Sequence, residues 1–222
     1  MSIIMACGSL FGVFAPSDTT SPDKYLDTEI KNVIYLIGDG MGFNHLEKTK
    51  QERNISLTMD TFDYHGASMT RSLSNAVTDS AAGGTALATG ERTYNGAIGV
   101  YMSDPLCQFS YPKNITELCA ERGMMTGVIT TDETSGATPA SFSAHSSDRG
   151  NTEDITNDQL TSDIDIIWGA ANDVATKRAA KENGYEFITT YDEMMALPEG
   201  SRSFAQFTNA LWTLRQSDEN TP

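Results

Sequence analysis

Short apolar runs alternate along this chain with longer stretches of helical spacing. Asn32-Val33-Ile34-Tyr35-Leu36-Ile37, closed by Gly38-Asp39-Gly40, has the pattern of a buried parallel strand. The spacing then predicts a helix from about Met41 to Arg53, a short strand at Ala67–Thr70 and an Ala-rich helix over Ser80–Thr89. Ile115–Arg122 reads as a helix stopped by Gly123, and Met125–Thr131 as a strand. Thr138-Pro139 opens another helix, with Thr138 as N-cap and Pro139 in the first helical position. Ile164–Trp168 closed by Gly169, a helix near Asp173–Glu182 and the strand Tyr185–Ile188 repeat the theme. A last helix starts near Tyr191, and Pro198-Glu199-Gly200 is a turn. The alternation predicts an α/β fold, with a mostly parallel central sheet and helices on both faces. Beyond it, Phe204, Phe207, Leu211, Trp212 and Leu214 are apolar, yet no further strand follows. That ending suits either a closing helix or a domain incomplete at its C-terminus.

Charge narrows the partners. The 222 residues carry 30 acidic and 15 basic side chains, a formal net charge of −15. No Lys/Arg surplus is available to replace phosphate counterions, so nucleic acid is not expected as a partner. Residues 1–15 are uncharged and mostly apolar or small, and residues 1–22 read as an export leader and linker, with 23–222 forming the α/β portion. The alternative is a partly buried N-terminal segment. An exported chain would leave Cys107 and Cys119 to pair or to stay as buried thiols; no C-x-x-C spacing supports a structural zinc knot. Only three histidines are present, His45, His65 and His145.

Three segments carry candidate chemistry, each where a strand gives way to a helix and ligands gather in parallel sheets. The first, Gly38-Asp39-Gly40-Met41-Gly42, is spaced G-x-G-x-G and not as the G-x-G-x-x-G of a dinucleotide loop. Asp39 places a carboxylate where a phosphate would sit, which makes chemical sense with a metal ion between them. The second, Val77–Thr85, contains adjacent Gly83 and Gly84 in a predicted helix, each costing about 1 kcal/mol relative to Ala. Close approach of a ligand or a neighbouring element is the usual compensation. Ser80 at that helix start reads as an N-cap or as a nucleophile, and the G-x-S-x-G elbow is absent. With no histidine in view to take its proton, a serine nucleophile needs a metal. Bound zinc lowers the pKa of water to about 7, a shift worth about 12 kcal/mol. The third segment runs from Thr130 through Gly136-Ala137-Thr138-Pro139 to His145 and Arg149. There Arg149 is a solvated surface residue or a fork for two phosphate oxygens.

Lys31–Gly42, Val77–Thr85, and Ala137-Thr138-Pro139 with His145 and Arg149 together resemble three successive blocks of the alkaline phosphatase family. The similarity continues through Ser162–Asp165 to about Gly200. The resemblance implies two Zn2+ and one Mg2+, with Asp39 bridging a zinc and the magnesium and Thr138 ligating magnesium. Ser80 would be the zinc-bound nucleophile that becomes phosphorylated. Asp79 would hold Arg149, and Arg149 would clamp the non-bridging phosphate oxygens. Small phosphate monoesters would be hydrolysed in two in-line displacements, releasing inorganic phosphate, in a full-length homodimer.

Two features depart from the family pattern. Gly136 stands where many relatives have Asp or His near the third metal, which puts that ion's identity in question. The family's Asp-x-x-x-His, Asp-His pair, late His and magnesium Glu do not occur, and His145 reads as a packing residue. Hydrolysis of these esters requires accelerations near 10²¹-fold, so the expectation is an inactive or barely active N-terminal half of a phosphatase. The alternatives are a phosphodiesterase- or sulfatase-like hydrolase, disfavoured by Asp79-Ser80 and Arg149, and a phosphate-binding or dimerising module without activity.

Overall fold

The computed structural model describes residues 2–7, 31–102 and 109–207. Of the leader read over residues 1–22, only Ser2–Cys7 falls among them, and Cys107 and Leu211–Leu214 lie outside them. Two compact units divide the chain between Thr70 and Arg71.

In the first unit, β1 (Ser2–Cys7) pairs in parallel with β2 (Val33–Gly38), from Ser2 opposite Val33 to Cys7 opposite Gly38. The strand expected at Asn32–Ile37 is therefore present and parallel, but it is not buried. Val33, Ile34 and Leu36 are exposed, because a two-stranded ribbon has no covering layer of its own. α1 (Phe43–Arg53) follows, ending at Asn54 in the left-handed conformation, and Thr58–Thr61 forms one 3₁₀ turn. Ala67–Thr70 makes no strand, only a single bridge at Ser68.

The second unit begins with α2 (Ser80–Thr89), closed by Gly90 at φ 78°. β3 (Tyr101–Met102) and β4 (Phe109–Ser110) form a small antiparallel pair. α3 (Ile115–Ala120) is capped at Asn114, whose side chain accepts from the Glu117 N–H while Glu117 returns a bond to the Asn114 N–H. Next come β5 (Gly127–Glu133), α4 (Ala137–Ser141), α5 (Thr152–Thr161), β6 (Ile166–Ala170), α6 (Lys177–Glu182), β7 (Glu186–Ile188), α7 (Tyr191–Met195) and β8 (Ser203–Phe207). The four strands make a parallel sheet in the order β5-β6-β8-β7. β8 inserts between β6 and β7 and is buried from Ser203 to Gln206, so Phe204 and Phe207 belong to a central strand and not to a closing helix.

Near its carboxyl end β5 slips against β6: Ile129 faces Trp168, but Glu133 faces Ala170. The extra residues bulge over Gly169, where a Cβ would lie 2.7 Å from Thr130 Cγ2 and 2.8 Å from the Asp132 carbonyl oxygen. Gly169 thus does not end its strand; it makes room for a bulge that aims the following loop. That loop is held from below by buried amides. Gln159 Nε2 donates to the Thr134 carbonyl at 2.7 Å, and Gln206 Nε2 donates to Thr134 Oγ1 at 2.6 Å. Asn172 links the same layer, donating through its N–H to Gln206 Oε1 at 2.8 Å and through Nδ2 to Thr156 Oγ1 at 2.8 Å. Such groups are costly to bury unless paired, and apart from Gln159 Oε1 these amide atoms are, so the network favours one arrangement of α5, β6, β8 and the loop.

α2 and α4 pack against each other through small residues, with Ala81, Ala137, Ala140 and Ala144 buried beside Ile98 and Ile155. A Cβ at Gly84 would lie 2.7 Å from Ser141 Oγ, 3.0 Å from Ser141 Cβ and 3.4 Å from Thr138 Cα. A Cβ at Gly83 would meet only Thr78, at 3.5 Å, an ordinary contact. The two glycines therefore differ: Gly84 permits the helix contact, and Gly83 has no such reason in the packing. Gly83→Ala is expected to stabilise the chain by about 0.5–1 kcal/mol through helix propensity. Gly84→Ala is expected to destabilise it by about 1–3 kcal/mol through overpacking. Thermal unfolding of the two variants checks this, and equal shifts would contradict the close contact.

Candidate active site

Helix α2 begins where it does because Asp79 caps it. The Asp79 Oδ1 atom accepts from the Ala82 N–H at 2.9 Å, satisfying one of the donors left open at a helix start. Ser80 is consequently the first helical residue, and the capping role that the sequence offered it belongs to Asp79. The other carboxylate oxygen, Oδ2, accepts from the Gly96 N–H at 2.9 Å and lies 3.3 Å from Arg149 Nη1. The Asp79 N–H donates to Asn95 Oδ1 at 3.2 Å, and the Arg149 N–H donates to the Gly96 carbonyl at 2.8 Å. One carboxylate thus joins the start of α2, the Asn95-Gly96 turn and the arginine.

The ion pair is partly exposed, 44% for Arg149 and 25% for Asp79. A pair in that setting contributes only about 0–1 kcal/mol to stability, so its main effect is orientation. The return path to Arg149 is not a helix. α4 is five residues long, and the chain comes back through an antiparallel bridge in which Ile98 and Ser146 exchange both backbone bonds at 2.8 Å.

Thr138 is the second residue of α4, after an N-cap at Gly136, so it does not cap the helix as its sequence position suggested. Pro139, in the third helical position, still removes no intrahelical bond, because the first-turn N–H groups have no acceptor within the helix. The α2–α4 contact brings the Thr138 backbone against Gly84, one turn along the helix that Ser80 begins. A Cβ at Gly136 would lie 2.5 Å from Asp132 Oδ2, so the Asp132 carboxylate occupies the space a side chain at 136 would need.

Within the described residues of the second unit, Asp79, Ser80 and Arg149 lie together, and the Thr138 backbone packs against Gly84 of the same helix. Asp39 belongs to the first unit, exposed in the turn after β2 next to Gly40 at φ 65°. Sequence reasoning missed Asn95 and Gly96, although the Asn-Gly dipeptide is a strong turn signal.

The donor set decides what metal these residues can hold. The hydroxyls of Ser80 and Thr138 in the second unit are hard oxygen donors of the kind magnesium takes, as is the Asp39 carboxylate within the first unit, whereas a zinc centre needs four donors that usually include imidazoles. His45 Nδ1 accepts from the Gly42 N–H at 3.1 Å, the ring nitrogens of His145 face Gly99 and Glu117, and His65 is exposed. Among the described residues no three His, Cys, Asp or Glu side chains converge on one point. The Ser80 and Thr138 hydroxyls in the second unit, and separately the Asp39 carboxylate in the first, are oxygen donors only, and no zinc centre is formed among the described residues. Cys119 is a free, half-buried thiol.

Comparison with known proteins identifies the family and the fold. The alkaline phosphatase family model matches residues 30–197. Alkaline phosphatase 4 of Bacillus subtilis is 33% identical over 205 residues, covering 81% of this chain and 43% of that protein. The alkaline phosphatase of Schizosaccharomyces pombe is 32% identical over 195 residues, covering 74% of this chain and 36% of its own length. Among solved structures, the alkaline phosphatase of the Antarctic bacterium TAB5 superposes with a TM-score of 0.69 at 33% identity, covering 82% of this chain and 54% of that one. A variant of that enzyme, with Mg bound in its M3 site, matches with a TM-score of 0.67 at 32% identity, covering 82% of this chain and 53% of that one. The chain therefore spans less than half the length of these curated relatives. With a parallel α/β sheet, an Asp-capped serine helix and a family match over most of its residues, this chain belongs to the alkaline phosphatase family.

Proposed function

We propose that this chain supplies the nucleophile and the phosphate clamp of a metal-dependent phosphomonoesterase that works through a phosphoserine at Ser80. The observation that carries the reading is the contact of Arg149 Nη1 with Asp79 Oδ2 at 3.3 Å, at the N-terminus of the helix that Ser80 begins. A helix start favours negative charge, and Ser80 stands where that field is strongest. Arg149 has five N–H donors in a planar fork, and its single described bond to Asp79 leaves capacity for a phosphate dianion.

In the proposed reaction, Ser80 Oγ attacks phosphorus as the ester P–O bond breaks, and the alcohol leaves. Water then attacks the phosphoserine from the opposite direction, returning the serine hydroxyl and releasing inorganic phosphate. Arg149 holds two non-bridging oxygens throughout, and the Asp79 carboxylate keeps the guanidinium facing them. Bound divalent metals would supply the charge that activates the hydroxyl and stabilises the leaving oxygen. Thr138 and Asp39 are the oxygen donors this chain offers them. Export, suggested by the uncharged N-terminal run, and homodimerisation, suggested by the family resemblance, belong to the same proposal.

Two outcomes test the reading. The 222-residue polypeptide alone, supplied with zinc and magnesium, is expected to show no measurable turnover of p-nitrophenyl phosphate, because it lacks the imidazole ligands of a zinc centre. Turnover at an ordinary rate would contradict that. In a longer polypeptide that joins this chain to the remaining ligands, Ser80→Ala is expected to abolish turnover at alkaline pH while leaving zinc content unchanged. Retained turnover would remove Ser80 from the mechanism.

A further inference from the structure

The loop pair that carries Arg149 is anchored at its far end by a histidine. The His145 side chain is 16% exposed, with Nδ1 2.7 Å from the Gly99 carbonyl oxygen and Nε2 3.1 and 3.2 Å from the two Glu117 oxygens. The Tyr111 ring stands edge-on to the imidazole, with centroids 6.0 Å apart. The His145 backbone N–H donates to Asp158 Oδ2 at 2.6 Å. A carbonyl oxygen can only accept, so Nδ1 donates to it.

Gly99 is shaped for this contact. Its φ is +57°, and a Cβ there would lie 2.5 Å from His145 Nδ1. Its own N–H donates to Thr85 Oγ1 at 2.9 Å, and the Thr85 hydroxyl donates to the Ala97 carbonyl at 3.2 Å, which ties the segment to α2. Next in line are the paired bonds of Ile98 with Ser146, then the Arg149 N–H to the Gly96 carbonyl, then the Gly96 N–H to Asp79 Oδ2. Segments 96–99 and 145–149 therefore form a short ladder with the imidazole at one end and the Asp79–Arg149 pair at the other. So few rungs are marginal alone, and the partly exposed ion pair, which orients the guanidinium, adds too little energy to hold the backbone register by itself.

We infer that His145, braced by Glu117, is a positioning residue for Arg149: its ring fixes the ladder that presents the guanidinium to phosphate. This rests on the reading of Arg149 as the phosphate clamp. It differs from plain packing because the effect should travel through Arg149 and appear in phosphate affinity.

The test is a double-mutant cycle in a longer, active polypeptide containing this chain, reading competitive inhibition by inorganic phosphate. Arg149→Ala is expected to weaken inhibition about 100-fold and His145→Ala about tenfold. The double variant is expected to be no weaker than Arg149→Ala alone, because the histidine acts through the arginine. Unchanged inhibition in His145→Ala, or losses that multiply in the double variant, would overturn the inference while leaving the clamp intact. Unchanged inhibition in Arg149→Ala would overturn the clamp and the inference with it. If His145→Ala does not fold, Glu117→Gln, which keeps an acceptor for the Asn114 N–H, takes its place in the same cycle with the same expected non-additivity.

Discussion

The carboxylate of Asp79 is the constraint on which the site depends. Its two oxygens receive the Ala82 N–H at the start of α2, the Gly96 N–H of the neighbouring turn, and the Arg149 guanidinium. Energetically each is modest: an N-cap contributes about 1 kcal/mol, and a half-exposed ion pair about 0–1 kcal/mol. Geometrically they are decisive. The group that fixes where Ser80 sits also orients the arginine, so the proposed nucleophile and the proposed clamp share one reference point. Positioning of this kind is how an active site converts small binding energies into rate.

The rest of the second unit serves that reference point from two sides. On one side the small residues of α2 and α4 bring Thr138 against the serine helix, with Gly84 marking the closest approach. On the other, buried amides of Gln159, Asn172 and Gln206 hold the loop that leaves β5 after its bulge. The core is therefore partly polar where it underlies the site, which gives a single arrangement at some cost in apolar burial. The fold's own contribution is a parallel sheet whose carboxyl edge gathers these loops.

Much of this was legible in the chain. The helix Ser80–Thr89 has the bounds its composition implies, and the parallel α/β class follows from strands alternating with helices. α5 escaped because two of the four residues it buries, Thr156 and Gln159, are polar, so the apolar stripe shrinks to Ile155 and Leu160. β8 escaped for a related reason: its Ser203 and Gln206 are buried through hydrogen bonds, which a hydrophobic pattern does not register. The caps were misplaced by one or two residues, since Asp79 precedes Ser80 and Gly136 precedes Thr138, and each neighbour is a competent cap. The role of Gly84 was anticipated in kind, a close approach, but its partner was not. The Asn-Gly dipeptide signals a turn, but the bonds of Asn95 and Gly96 to Asp79, like the His145–Glu117 pair, join segments far apart in sequence, and no local pattern encodes those.

The most direct test of the shared-reference claim is a crystal structure of an active, longer polypeptide containing this chain with inorganic phosphate bound. The account predicts that Arg149 donates to two phosphate oxygens while keeping its contact with Asp79, and that Ser80 Oγ lies in line with phosphorus. A phosphate held elsewhere, or an Arg149 that reaches it only by leaving Asp79, would contradict the account.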